Sequence, residues 1–161
     1  MAQVAPTLWL EGKWQGTGSV IKDGTPVVEY KEMSEFKVLR TSPATIVNLQ
    51  QFTKHSESGN PLHAENGFIK IFPGESERRV EASYSHPFGM NEFELGQITA
   101  NTLTLKACEE HHFQRPQVTT ETEAKARQVT HVHREYTLTE DGKIDFTMFL
   151  GVGGNEPKLH L

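Results

Sequence analysis

The chain of 161 residues has a single cysteine, Cys108. One thiol excludes an internal disulfide and every cysteine-based zinc centre. Long apolar runs are also missing. No stretch approaches the roughly 20 residues of a membrane span. The first fourteen residues have neither a basic n-region nor an apolar segment of signal-peptide length. Positive charge is in the minority: 16 Lys and Arg stand against 21 Asp and Glu, a net charge of -5, which argues against a nucleic-acid or anionic-membrane binder. Only 35% of residues are hydrophobic, so an interior must be assembled sparingly. Internal repeats, low-complexity tracts and helical periodicity are nearly or wholly absent. So are the motifs G-x-S-x-G and H-E-x-x-H and any Cys–His nucleophile signature, which leaves covalent hydrolase chemistry without support. The expectation is one domain, 1–161, large enough to bury a core and placed in the reducing cytoplasm.

What is present is alternation with period two. Val28, Tyr30, Phe36 and Val38 share one phase, with the polar Glu32 and Ser34 in its middle. Ile144, Phe146, Met148 and Leu150 share another, against Lys143, Asp145 and Thr147. Leu103, Leu105 and Ala107 alternate with Thr102, Thr104 and Lys106. Val132, Tyr136 and Leu138 are in phase, with Arg134 interrupting them. Turn signals at Asp23-Gly24, Ser42-Pro43, Gly59-Asn60-Pro61, Pro73-Gly74, Ala100-Asn101 and Asp141-Gly142 separate these runs. The spacing predicts about nine or ten strands, near 14–20, 26–38, 44–54, 61–72, 78–85, 90–98, 101–111, 119–138 (either continuous or broken) and 143–152. Residues 117–128 fit a loop, a short helix or a strand. The fold class is all-β. An up-and-down antiparallel meander most economically closes into a barrel, which removes both edges and can leave a lumen for one ligand.

Gly12, Gly16 and Gly18 surround Trp14. A phosphate cradle needs a strand–turn–helix context that is missing here. The stronger reading is a first strand that bends and admits close backbone approach, with Trp14 plugging one end. Eight histidines remain to be sorted. His131 and His133 lie on one strand face and with a third ligand could hold zinc, but their phase opposes Val132 and Tyr136 and so faces solvent. His111-His112, beside Glu109-Glu110, resembles a metal tract, although neighbours on a strand point apart. His55 sits in a polar loop-like stretch. For these five a solvated or singly hydrogen-bonded imidazole is the default. His63, His86 and His160 come from three separate strands and can meet only if a barrel lumen brings them together.

Gly12-Lys13-Trp14-Gln15-Gly16-Thr17-Gly18, Pro61-Leu62-His63-Ala64-Glu65-Asn66-Gly67-Phe68 and the closing His160-Leu161, in that order along the chain, resemble the nitrobindin family. These are haem-binding β-barrels, described as fatty-acid-binding-protein-like, one of which is the C-terminal domain of a THAP zinc-finger protein. The resemblance implies an antiparallel barrel of about ten strands that holds one haem b per chain. It implies His160 as the axial ligand to iron and a cofactor cavity lined by Leu62, His63, His86 and Leu150. It further implies nitric oxide binding and isomerisation of peroxynitrite to nitrate at ferric haem, with these small molecules, and neither nucleic acid nor membrane, as partners. The same barrel carrying an apolar, fatty-acid-like ligand without iron is the alternative. Three departures stand out: His86 occupies a position where relatives often carry Gln, the loop at 111–128 is longer, and relatives continue beyond the His-Leu pair. That last difference leads to the expectation of a weakly anchored His160.

Overall fold

A computed structural model describes residues 8–115 and 127–160. Eleven strands form one antiparallel sheet. They are β1 (Gly12–Lys22), β2 (Thr25–Arg40), β3 (Thr45–His55), β4 (Pro61–Ile71), β5 (Arg78–His86), β6 (Met90–Ile98), β7 (Thr102–Ala107), β8 (Phe113–Gln114), β9 (Val129–Leu138), β10 (Ile144–Val152) and β11 (Lys158–Leu159). Each pairs with the next along β1 to β7, then β7 with β9, β9 with β10 and β10 with β11, while β8 adds to β6. The meander nearly closes. The Ile21 amide donates to the His160 carbonyl at 2.8 Å, which ties the end of β1 to the strap after β11. Beside that link a seam between β1 and β10 opens into a cavity of about 710 Å³ lined by Trp14, Gly18, Tyr30, Phe36, Tyr136 and Phe146 among others.

The expected strands at 26–38, 44–54, 61–72, 78–85, 90–98 and 143–152 match β2 to β6 and β10. The strand expected over 101–111 stops at Ala107, and Glu110–His112 form a 3-10 turn. The carboxylate and imidazole chemistry of Cys108–His112 explains the break: His112 Nδ1 accepts from the Cys108 and Glu109 amides at 3.2 and 3.3 Å, which offers this backbone an alternative to the ladder. Of the strand expected over 119–138, Val129–Leu138 form β9, residues 127–128 do not belong to it, and 119–126 lie outside the described residues. The uncertain segment 117–128 falls, up to residue 126, outside the described residues.

Alternation places one face of each strand inward, and that interior has three levels. At one end Val47, Leu49, Ile69, Ile71, Val80, Ile98, Leu103 and Leu105 are essentially inaccessible and form a dense apolar plug. Leu10 is buried in it, and Trp9, donating Nε1–H to the Thr99 carbonyl at 3.1 Å, fixes the entering segment across this end. Midway lies a belt of Ser34, Gln51, Glu65, Glu92, Glu94 and Arg134, all buried. At the other end Met90, Ala107, Phe113, Val132 and Met148 make a smaller cluster. Two glycines serve close approach. A Cβ on Gly67 would stand 2.1 Å from the Ser83 carbonyl oxygen, and one on Gly18 would run into the Tyr30 ring. Of the glycines around Trp14, Gly18 thus fits the close-approach reading, whereas a Cβ on Gly16 would meet open space; Trp14 Nε1–H is bonded to the Leu10 carbonyl at 3.0 Å.

Candidate functional site

The open end encloses a cavity of about 330 Å³, within the range of small-molecule sites. Leu62, His63, His86, Leu150 and His160 all line it, so the barrel does bring three histidines from separate strands together. Val20, Val28, Phe88, Met90, Val129, Val132 and Met148 supply the apolar remainder of the wall.

Register slips make that wall possible. The ladder jumps from Val20↔Val28 to Ile21↔Pro26, from Thr53↔His63 to Lys54↔Pro61, and from Gly151↔His131 to Val152↔Val129. Each slip inserts one extra residue, Val27, Leu62 or Thr130, and all three sit at the cavity's end of the barrel. A bulge re-aims side chains that strict alternation would send outward. This is why Leu62 and His63, neighbours in sequence, both line one cavity.

His160 is held at both of its backbone groups. Its amide donates to the Met148 carbonyl at 2.7 Å and its carbonyl accepts from Ile21. Phe149↔Leu159 and Leu150↔Lys158 pair just before it. The expected weak anchoring is therefore not what the fold provides among the described residues. Burial, and secondarily the proximity of His63, lower the His160 pKa, so the ring is neutral at pH 7 and offers a lone pair.

Behind the cavity stands the charged belt. Arg134 donates to both oxygens of Glu65 (Nη2 to Oε2 at 2.9 Å), to Glu92 Oε1, and through Nε to Glu94 Oε1 at 2.7 Å. Its guanidinium lies 4.5 Å from the Tyr84 ring centre. Burial opposes ionisation of Glu65 and Glu92, but Arg134 outweighs it and holds both carboxyls at about 2. Glu94 is shifted the other way. Burial dominates there and raises its pKa, and its Oε2 has no hydrogen-bond partner. His63 Nε2 lies 3.3 Å from Glu65 Oε2, and His86 Nε2 lies 3.4 Å from Glu92 Oε1 without hydrogen-bond alignment. Phe88, mostly exposed, stacks on His86 with ring centres 5.1 Å apart.

The belt escaped sequence reasoning, which saw Arg134 only as an interruption of an apolar phase. The signal that could have found it was phase. Glu65 shares the phase of Ile69 and Ile71, Glu92 and Glu94 that of Met90 and Ile98, and Arg134 that of Val132 and Tyr136. The other histidines stay apart from the cavity. His133 faces outward against Phe149, with ring centres 5.5 Å apart, and His131 bonds Thr130 at 3.1 Å. His111 and His112 lie edge to face at 4.5 Å on the 3-10 turn. His55 closes β3, its Nδ1 accepting from the Glu57 and Ser58 amides.

The residues lining the cavity suit a haem. A neutral, half-buried imidazole projects among apolar side chains, and its strand is fixed by backbone bonds on both sides. Comparison with known proteins agrees. The chain is similar over 99% of its length to a peroxynitrite isomerase of Frankia casuarinae, 28% identical, covering 82% of that protein. It is 26% identical to peroxynitrite isomerase 2 of Mycobacterium avium, covering all of this chain and 90% of that one. The crystal structure of Rv2717c from M. tuberculosis superposes with a TM-score of 0.69 at 26% identity, covering 94% of this chain and 88% of that chain. The family model described as "THAP4-like, heme-binding beta-barrel domain" matches residues 3–161, and the chain belongs to that nitrobindin family of haem-binding barrels.

Proposed function

We propose that this protein binds one haem b in the 330 Å³ cavity through His160, takes up nitric oxide there and isomerises peroxynitrite to nitrate. The observation that carries the reading is the His160 ring in the same apolar cavity as Leu62, His63, His86 and Leu150. The relatives named peroxynitrite isomerase support the activity. When bound, haem supplies a Lewis-acidic iron that takes small nitrogen oxides as ligands. The chain's own residues do the rest. His160 presents its neutral ring because burial disfavours the charged form. Val20, Val28, Val132, Met148 and Leu150 exclude water from the cavity. Glu65, held ionised by Arg134, accepts from His63 Nε2 and so orients the ring and fixes its tautomer. Isomerisation needs no net proton, so His63 and His86 act on binding and charge, not as stoichiometric acids.

Haemin titration of the wild-type chain is expected to give a saturating Soret band at one equivalent, and peroxynitrite decay with raised nitrate yield. His160→Ala should shift or lose the band; an unshifted band of equal affinity would overturn the ligand assignment. The seam cavity of about 710 Å³ favours a second reading, an apolar ligand without iron. Tight binding of a fluorescent fatty acid with no haem uptake would decide for it.

A further inference from the structure

Three ligand-type atoms stand together on the inner wall of the cavity. They belong to His63, Glu65 and His86, and all lie within 4.8 Å of one another. His63 Nε2 is 3.3 Å from Glu65 Oε2, and His86 Nδ1 is 3.9 Å from the same oxygen. Ligand atoms around a tetrahedral ion with bonds near 2.0–2.2 Å are roughly 3.3–3.6 Å apart. The His63–Glu65 pair is already at that spacing, and His86 Nδ1 stands a few tenths of an ångström beyond it.

A second observation points to a ligand. The His86 side chain is 4% exposed, and neither ring nitrogen makes a hydrogen bond. Buried polar atoms are nearly always paired, so two idle nitrogens on one buried ring call for a partner. Nε2 has one at hand: Glu92 Oε1 lies 3.4 Å away, close enough to accept once the ring turns. Nδ1, on the side of Glu65, is then left for a cation. Carboxylate–histidine–metal is the arrangement that fixes tautomer and ring orientation at metal sites. Charge favours the same occupant. Arg134 is shared by the ionised Glu65 and Glu92, and a divalent ion beside Glu65 would compensate the buried carboxylate charge left over.

We propose that His63 Nε2, Glu65 Oε2 and His86 Nδ1 form a site for a divalent transition-metal ion, which displaces to solvent the proton between His63 Nε2 and Glu65 and has its remaining positions open to the cavity. Two imidazoles select zinc, cobalt or ferrous iron over magnesium or calcium. The site is separate from His160 and does not rest on the haem reading.

The test is Co²⁺ titration of the full-length, haem-free chain, followed by visible absorption, with elemental analysis of Zn²⁺-loaded protein for stoichiometry. The expected result is one ion per chain with the d–d bands of a four- or five-coordinate site and no thiolate charge-transfer band. His86→Gln and His63→Gln should each weaken binding at least tenfold, and Glu92→Gln about tenfold through the His86 ring. Circular dichroism identifies any variant that fails to fold, and the others then carry the comparison. His131→Ala and His160→Ala should leave Co²⁺ affinity unchanged. No stoichiometric uptake, uptake that His63→Gln and His86→Gln leave intact, or uptake lost in His160→Ala would each overturn the proposal. Haem uptake by His86→Gln, read from its Soret band, reports on the haem reading separately.

Discussion

The two ends of this barrel are built from the same ladder yet solve opposite problems. At the Leu8–Leu10 end, alternation interrupted by a slip between Val38 and Arg40 sends branched side chains inward until no space is left, and Leu49, Ile69, Val80, Ile98, Leu103 and Leu105 are fully excluded from solvent. At the His160 end, three register slips break the alternation, Leu62 and Phe88 stay exposed, and a cavity remains. One end stores stability and the other holds a space. Between them the Arg134 belt closes the floor of the cavity with charge where a larger plug would have filled it. The comparison teaches that the site is made by irregularity and by polar burial, both of which cost stability that the plugged end supplies.

The belt is where that division is easiest to break. Arg134→Met leaves Glu65 and Glu92 buried without their counter-charge, which should cost about 3–5 kcal/mol in urea unfolding. A loss below about 1 kcal/mol would mean that water or protons compensate the carboxylates freely. Next comes the plug. Ile69→Ala should cost about 2–5 kcal/mol while leaving the haemin Soret titration unchanged, since Ile69 does not line the 330 Å³ cavity. A matching loss of haem affinity would show that the two ends are not separable.

Acid should act on the belt before the plug. Glu65 and Glu92 have folded pKa values of about 2, below the roughly 4.3 of an unfolded Glu. Their contribution is therefore complete above the unfolded value and is lost as pH falls from there toward 2. Glu94 has the opposite sign: raised by burial, it adds stability below the unfolded value that declines as pH rises through its folded pKa. Glu94→Gln keeps an acceptor for Arg134 Nε and removes that decline. It should raise neutral-pH stability relative to that at pH 4, read from unfolding at the two pH values; an unchanged difference would remove Glu94 from the account.

How far the sequence reveals the molecule differs between the ends for a physical reason. The plug was legible because alternation and turn residues report regular strands, and most strand limits fell within a residue or two. The common cavity of Leu62, His63, His86, Leu150 and His160 was legible only through the resemblance that pointed to those residues. Alternation by itself puts Leu62 on the face opposite His63, and only the bulge overrules it. It also cannot say that Glu65, Glu92, Glu94 and Arg134, from three strands, neutralise one another, because each alone looks like a polar error on an apolar face. The end of β7 was misplaced for a similar reason: His112 captures the Cys108 and Glu109 amides, a local interaction that strand propensity does not register.

The smallest expected effect is the most discriminating. Phe88 is 67% exposed and stacks on His86 across the mouth of the cavity. Little apolar area is recovered there on folding, so Phe88→Ala should change unfolding free energy by no more than about 0.5 kcal/mol. Its ring nevertheless lines the cavity wall beside a buried imidazole, and removing it opens a path for water and for ligand exit. Haem transfer to an acceptor globin should therefore quicken several-fold in Phe88→Ala with stability almost unchanged, the inverse of the result expected for Ile69→Ala. An unchanged transfer rate would assign the mouth to the surface and confine the site to the half-closed wall behind it.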